Sequence, residues 1–133
     1  MNRQELGLLL IEVKNNAHVR LADSLPYIHR LSIKKIEAIE KGTYNYKLSD
    51  AFLYLNMCGA TIEILDDFVT SPRDIRLALI REMRNFEMSV SQLSKQSGVP
   101  MTVINSFLQG QAQLKIDTFL NIANALGEEL IIN

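Results

Sequence analysis

An internal repeat of 68 residues limits the folds open to this chain more than any other feature of the sequence. At that offset, apolar positions of the first half fall on apolar positions of the second along most of its length. Glycines that end helical patterns are also kept, in the pairs Gly42 with Gly110 and Gly59 with Gly127. Unrelated amphipathic helices would not share such paired glycines, so we predict a duplicated domain, with copies at residues 1–66 and 67–133.

The second copy has the clearer helical pattern. Ser71 followed by Pro72 is typical of a helix start, and Ser89 is the N-cap of a short helix that should stop at Gly98. The remaining helices are predicted from about Pro100 to Leu108 and from Ile116 to Leu126. Side chains predicted to face the core are Ile75, Leu79, Ile80, Met83, Val103, Ile104 and Phe107. Upstream, Val13 pairs with Met83, which predicts about two extra residues in the turn after the first helix of the first copy.

Each copy ends in a short extended segment. Residues 61–65 alternate and are β-branched, as in a half-buried strand, and residues 129–133 hold the same place in the second copy. If the two segments pair antiparallel within one chain, the chain is its own dimer and each strand covers the other's open edge. The alternatives are pairing between two chains or packing of each strand on its own domain. Residues 66–71 are predicted to be the linker.

Composition narrows the function classes. The chain is 47% hydrophobic and 22% charged, as in a globular protein, and its net charge of −1 is unusual for a DNA-binding domain. No apolar run approaches the roughly 20 residues that span a bilayer, and no signal peptide is recognised, so we expect a cytoplasmic protein. Cys58, His18 and His29 are too few for a zinc site, and no nucleophile stands beside a base. We therefore predict neither an enzyme nor a cofactor.

Several motifs together resemble the Xre/Cro-type, phage repressor-like helix-turn-helix family. They are residues 89–94, residues 98–100, Ile104, Gly110 and residues 125–127 in the second copy, and residues 36–42 in the first. The resemblance implies a mainly all-α fold of two tandem four-helix domains, each followed by a strand similar to that of antitoxin-type members. Two positions depart from the pattern: Pro26 lies inside the second helix of the first copy, and Val90 stands where the family often has glutamine.

The resemblance also assigns DNA-reading positions to the third helix of each copy. In the first copy, the positions assigned to DNA binding are Ile33, Lys34, Lys35, Glu37 and Lys41. In the second copy they are Ser89, Gln92, Met101, Thr102, Asn105, Ser106 and Gln109. Lysine suits guanine, asparagine suits adenine, and threonine or methionine can cover a thymine methyl group. The alternative is that these side chains are only the solvated face of ordinary helices. Tyr44 and Tyr46 either bond phosphates or cap the core.

Local charge favours DNA more than the total does. Residues 20–47 contain six basic and three acidic side chains, and residues 88–115 contain no acid. We expect a prokaryotic or phage transcriptional regulator that binds double-stranded DNA at a pseudo-palindromic operator, as a monomeric pseudo-dimer or a homodimer. It could also act as an antitoxin-like autorepressor. The alternative is a protein-interaction module that has lost DNA binding in one or both copies and binds a toxin or another protein.

Overall fold

The computed structural model describes residues 1–19 and 30–133. Within these residues the helices are α1 (Arg3–Asn16), α2 (Ile33–Lys41), α3 (Leu48–Met57), α4 (Pro72–Asn85), α5 (Val90–Ser97), α6 (Met101–Leu108) and α7 (Ile116–Ala125). The strands are β1 (Ile62–Ile64), β2 (Asp67–Val69) and β3 (Ile131–Ile132). The fold is therefore mainly helical, as predicted. The predicted departure at Pro26 and the basic residue Arg20 lie outside the described residues.

Helix starts follow from side-chain caps. The Ser71 hydroxyl accepts a hydrogen bond from the backbone amide of Asp74 at 3.3 Å, and Pro72 is the first residue of α4. Ser89 begins α5 in the same way, and Gly98 ends it with a left-handed φ of 74°. Both predicted starts are confirmed. Asn2 caps α1 as Ser71 caps α4, so the two helices correspond at an offset of 69 residues, one extra residue rather than the predicted two.

Burial agrees with most of the predicted core. Ile75, Leu79, Met83, Ile104 and Phe107 are buried. Ile80 is half-buried. Val103 was predicted to face inward but is 38% exposed, because the short α6 buries only the stripe that carries Ile104 and Phe107.

The strands form one antiparallel sheet in the order β2-β1-β3. Glu63 pairs with Ile131, and Thr61 and Asn133 exchange backbone hydrogen bonds of 3.0 and 2.9 Å. The segments that end the two halves therefore pair within one chain, which is the first of the predicted arrangements. Each regular strand is shorter than its predicted segment.

The predicted linker contains a strand, so that prediction is wrong in part. β2 forms a hairpin with β1 around Leu65 and Asp66, whose φ angles of 54° and 58° both lie in the left-handed region, as a type I′ turn requires. Arg81 donates to the Leu65 carbonyl at 2.6 Å, and the Glu128 carboxylate accepts from the Leu65 amide at 3.3 Å. These two side chains hold a turn that leucine does not favour by itself.

A second antiparallel contact joins the halves between α2 and α3 on one side and between α6 and α7 on the other. Lys47 and Lys115 form an isolated bridge, with hydrogen bonds from Leu48 to Leu114 (3.0 Å) and from Ile116 to Tyr46 (2.8 Å). Lys47 and Lys115 are 68 residues apart, and so are the sheet partners Glu63 and Ile131. Because repeat-equivalent residues face each other antiparallel at both points, a local two-fold axis passes through both pairs.

The buried core is continuous across the halves. Its fully buried side chains come from both, and include Leu10, Ile36, Ile39, Tyr54, Leu79, Leu93, Ile104 and Leu114. Contacts of α1 with α7 and of α3 with α4 and α7 join the two parts. Each half on its own would bury little apolar surface, so the shared core supports both. No helix in the described part of the chain is long and apolar enough to cross a membrane.

Candidate nucleic-acid interface

Side-chain hydrogen bonds fix the turn between α5 and α6. The Ser94 hydroxyl donates to the Val99 carbonyl at 2.6 Å, and the Ser97 hydroxyl donates to the Leu93 carbonyl at 2.6 Å. The Val99 amide in turn donates to the Ser97 oxygen at 3.2 Å. Since Leu93 and Val99 are also buried, the turn has little freedom, and α6 is held at a defined angle to α5.

Most of the α6 side chains assigned to reading are open to solvent. Met101 is 45% exposed, and Thr102, Asn105 and Gln109 are also exposed. Ser106 is half-buried. The exposed members lie on the side of α6 that turns away from its buried stripe, as a reading face requires.

Ser89 and Gln92, assigned to the start of the preceding helix, form a capping box. The Ser89 hydroxyl accepts from the Gln92 amide at 3.1 Å, and the Gln92 side-chain oxygen accepts from the Ser89 amide at 2.8 Å. Their acceptor atoms therefore serve the helix, while the Ser89 hydroxyl proton and the Gln92 amide protons stay available to a phosphate at this helix end.

The α2 side chains assigned to reading, Ile33, Lys34, Lys35, Glu37 and Lys41, are all exposed. The Ser32 hydroxyl starts this helix by accepting from the Lys35 amide at 3.1 Å. Lys35 is an exception among the basic positions, because its ammonium group lies 3.5 Å from a carboxylate oxygen of Asp50 on α3. In the described part of the chain no carboxylate pairs with Lys34. Lys34 is therefore the freer of the two lysines at the start of α2.

Lys47 and Lys115 form a cationic pair that the sequence assignment leaves out. Both are exposed, and their bridge is of the non-hydrogen-bonded type, in which directly opposed side chains stand closest. Like charges at such a site repel, and no carboxylate of the described residues pairs with either. The sequence signal is that lysine stands at the same position of both halves. This pair attracts a polyanion to the local two-fold axis.

The two loop tyrosines divide between the alternatives. Tyr46 is 1% exposed, and burial raises the pKa of its phenol well above the usual range, so it belongs to the core. Its hydroxyl has no hydrogen-bond partner among the described residues. Tyr44 is 44% exposed and packs edge-to-face on Tyr46, with ring centroids 6.1 Å apart.

With this geometry in place, the comparison with protein families identifies the second half. Residues 80–132 match the Helix-turn-helix family. The match covers the end of α4, the whole of α5, α6 and α7, and β3. It indicates that this helix-turn-helix segment is a DNA-binding regulator, a class that acts by binding rather than by catalysis. No curated protein and no solved structure matches the chain.

Metal-binding and nucleophilic chemistry find little support around the helix-turn-helix segment. No group of three or more His, Cys, Asp or Glu side chains comes together to hold a metal ion in the residues that the structure describes. Cys58, predicted at a core position, is half-buried at the C-cap of α3, and burial raises the pKa of its thiol to about 11. The thiol therefore stays protonated at neutral pH.

We expect Cys58 to react slowly with iodoacetamide. The raised pKa lowers the thiolate fraction at pH 7.5 by on the order of 100-fold relative to an unperturbed cysteine. Alkylation measured by mass spectrometry should therefore be at least tenfold slower in the native protein than in urea. Equal rates in the two states would show that the thiol is not protected.

Proposed function

We propose that this protein is a sequence-specific DNA-binding transcriptional regulator that reads two unlike half-sites of a pseudo-palindromic operator with α2 and α6. The observation that carries the proposal is the antiparallel pairing of repeat-equivalent residues, Lys47 with Lys115 and Glu63 with Ile131. A two-fold relation between two reading helices is the arrangement that repressor dimers use on palindromic DNA. Residues 1–66 and 67–133 then act as the two members of a dimer within one chain.

The half-sites should differ because the two reading faces differ. Lys34 on α2 can donate to guanine, whereas Asn105 on α6 can pair with adenine and Thr102 can cover a thymine methyl group. Half-site centres are expected about 34 Å apart, one turn of DNA. Lys47 and Lys115, which lie between the helices in the chain and on the axis in space, would face the middle of the site.

The small net charge is compatible with this proposal because the charges are distributed unevenly. Asp67 pairs with Arg81 at 3.2 Å, and Glu128 bonds the Leu65 amide, so these acids are committed to the hairpin. The lysine pair marks the other point of the axis and carries no acid of its own. The protein should therefore neutralise a modest number of phosphates, about two to four per half.

The decisive test is a fluorescence-anisotropy titration at two salt concentrations. One duplex is a random-sequence pool and the other is DNA from upstream of the protein's own gene. Tighter, salt-sensitive binding to the upstream DNA is expected, and it would also support autorepression. Absence of binding to both duplexes at both salts would overturn the proposal.

Comparing Lys34→Ala with Lys35→Ala separates reading from structure. Lys34→Ala should weaken binding to the cognate site by about 1–3 kcal/mol and leave stability unchanged. Lys35→Ala should instead lower stability slightly, because Asp50 loses its partner. Anisotropy and urea unfolding measure the two effects. Unchanged affinity in Lys34→Ala would remove α2 from the reading role.

A protein-interaction module is the second candidate, favoured by exposed apolar side chains on the same helices. Ile33 is 52% exposed on α2, and Met101 and Val103 are 45% and 38% exposed on α6. Exposed apolar side chains that sit together favour a protein partner, such as a toxin, over DNA. An antitoxin-like protein would combine both roles. Replacing Met101 with serine should then weaken partner binding and spare DNA binding.

A further inference from the structure

A polar cleft of about 450 Å³ opens between the halves. It lies where the start of α4 and the loop after α6 face the start of α3. Its polar lining consists of Ser49, Ser71, Arg73, Arg76, Gln111 and Gln113. The local two-fold relation makes it possible to compare this cleft with the equivalent place on the other side, which is closed.

The first difference is in helix packing. At the offset of 69 residues that relates α1 to α4, Gly7 corresponds to Arg76. Gly7 is buried and lets α1 touch the Glu40 carbonyl of α2, where a side chain would overlap. Arg76 instead lies with its guanidinium against Gly110, in the space that a side chain on Gly110 would take. The arginine thus occupies the place where, in the first half, two helices meet directly.

The second difference is in charge. On the closed side, Arg3 forms an ion pair with Asp117 at 3.1 Å, and the Asn45 side chain accepts from the Asp117 amide at 2.9 Å. The repeat equivalents of Asp117 and Asn45 are Ser49 and Gln113, and both line the cleft. The acid that closes one side is therefore a serine on the other.

Two guanidinium groups are consequently left in the cleft without a counter-ion. In the described residues no carboxylate pairs with Arg73 or Arg76. Arg76 is half-buried, so its charge is poorly compensated by solvent. A bound anion with several oxygens would satisfy both groups.

We propose that this cleft binds a phosphate group. The planar fork of an arginine matches phosphate oxygens in a bidentate manner, and the serine and glutamine side chains add neutral donors. The cleft is large enough for a small phosphorylated molecule. The phosphate comes either from such a molecule or from the backbone of bound DNA, and the second source rests on the proposed function. In both cases the ligand contacts both halves beside the end of α6.

The first arm of the test uses no DNA. Inorganic phosphate and pyrophosphate are titrated into ¹⁵N-labelled protein at constant ionic strength, and the amide shifts of Gly110 and Gln111 are followed. Saturable shifts are expected, weakened roughly tenfold or more by Arg73→Gln or Arg76→Gln. Arg84→Gln is the matched control, because Arg84 is an exposed arginine at the far end of the same helix and outside the cleft.

Ser49→Asp gives an independent variant. It supplies the carboxylate that the closed side has at Asp117, at a position in the first turn of α3 where an acid is favourable. We expect loss of phosphate binding with an unchanged or raised melting temperature. Loss of binding with the fold retained cannot come from misfolding of the arginine variants.

The second arm measures how DNA affinity depends on salt. If the phosphate belongs to the DNA backbone, Arg76→Gln lowers the slope of log affinity against log salt by about one, and Arg84→Gln does not. Phosphate binding in the first arm supports a small-molecule source, and a reduced slope alone supports the DNA source. No saturable phosphate shifts together with an unchanged slope, or with no DNA binding at all, would overturn the inference. Wild-type protein that binds phosphate but no DNA would overturn only the proposed function.

Discussion

Replacing Gly7 with alanine is expected to lower the free energy of unfolding by about 1–3 kcal/mol. The added methyl group would overlap the Glu40 carbonyl, where α1 and α2 make their closest approach. Helix propensity acts the other way, because alanine in a helix interior is about 1 kcal/mol better than glycine. The sign of the change therefore decides between close helix contact and intrinsic preference.

Urea unfolding followed by circular dichroism measures this effect. Asn15→Ala is the matched control, since Asn15 is exposed on the same helix and should change stability by no more than about 0.5 kcal/mol. A Gly7→Ala protein as stable as the wild type or more stable would mean that the two helices are not in backbone contact.

Replacing Glu40 with alanine should cost about 3 kcal/mol of unfolding free energy. Its carboxylate lies 2.6 Å from the Lys14 ammonium group and accepts a 2.5 Å hydrogen bond from the Tyr54 hydroxyl. The side chains of Lys14 and Glu40 are only 13% and 12% exposed, so solvent replaces little of what is lost. Burial, and then the bond to Glu40, raise the pKa of Tyr54, which keeps its proton and remains a donor.

A double substitution distinguishes a lost interaction from a stranded charge. Lys14→Met combined with Glu40→Leu should be more stable than Glu40→Ala, because an ion pair replaced as a unit leaves no uncompensated ammonium group. Glu37→Ala on the same helix is the exposed control. If Glu40→Ala is no more destabilising than this control, the cluster has no structural role.

Local chemistry made much of the fold predictable. Ser71 with Pro72, and Ser89, determine helix starts through atoms a few residues away, so the sequence alone is sufficient. The hairpin was missed because its turn lacks glycine or asparagine. Leu65 and Asp66 adopt left-handed angles only because Arg81 and Glu128, distant in the chain, bond to Leu65.

The candidate site was harder to predict for a related reason. Exposure of Lys34 and Asn105 follows from helical periodicity, whereas the attachment of Lys35 to Asp50 depends on how α2 meets α3. The pairing of Lys47 with Lys115 depends on how the halves meet. The cleft depends on a one-residue difference in helix correspondence, which sets Arg76 opposite Gly7 and is invisible until the caps are seen.

Pairing of β1 with β3 inside one chain has a consequence for dosage. Two separate subunits must find each other before they can occupy a palindromic site, so occupancy falls steeply when copies are few. Here the partner half is tethered, and its local concentration is set by the connecting chain rather than by expression level. Occupancy of the operator should therefore rise with the first power of protein concentration, and a few molecules per cell would still give a graded response.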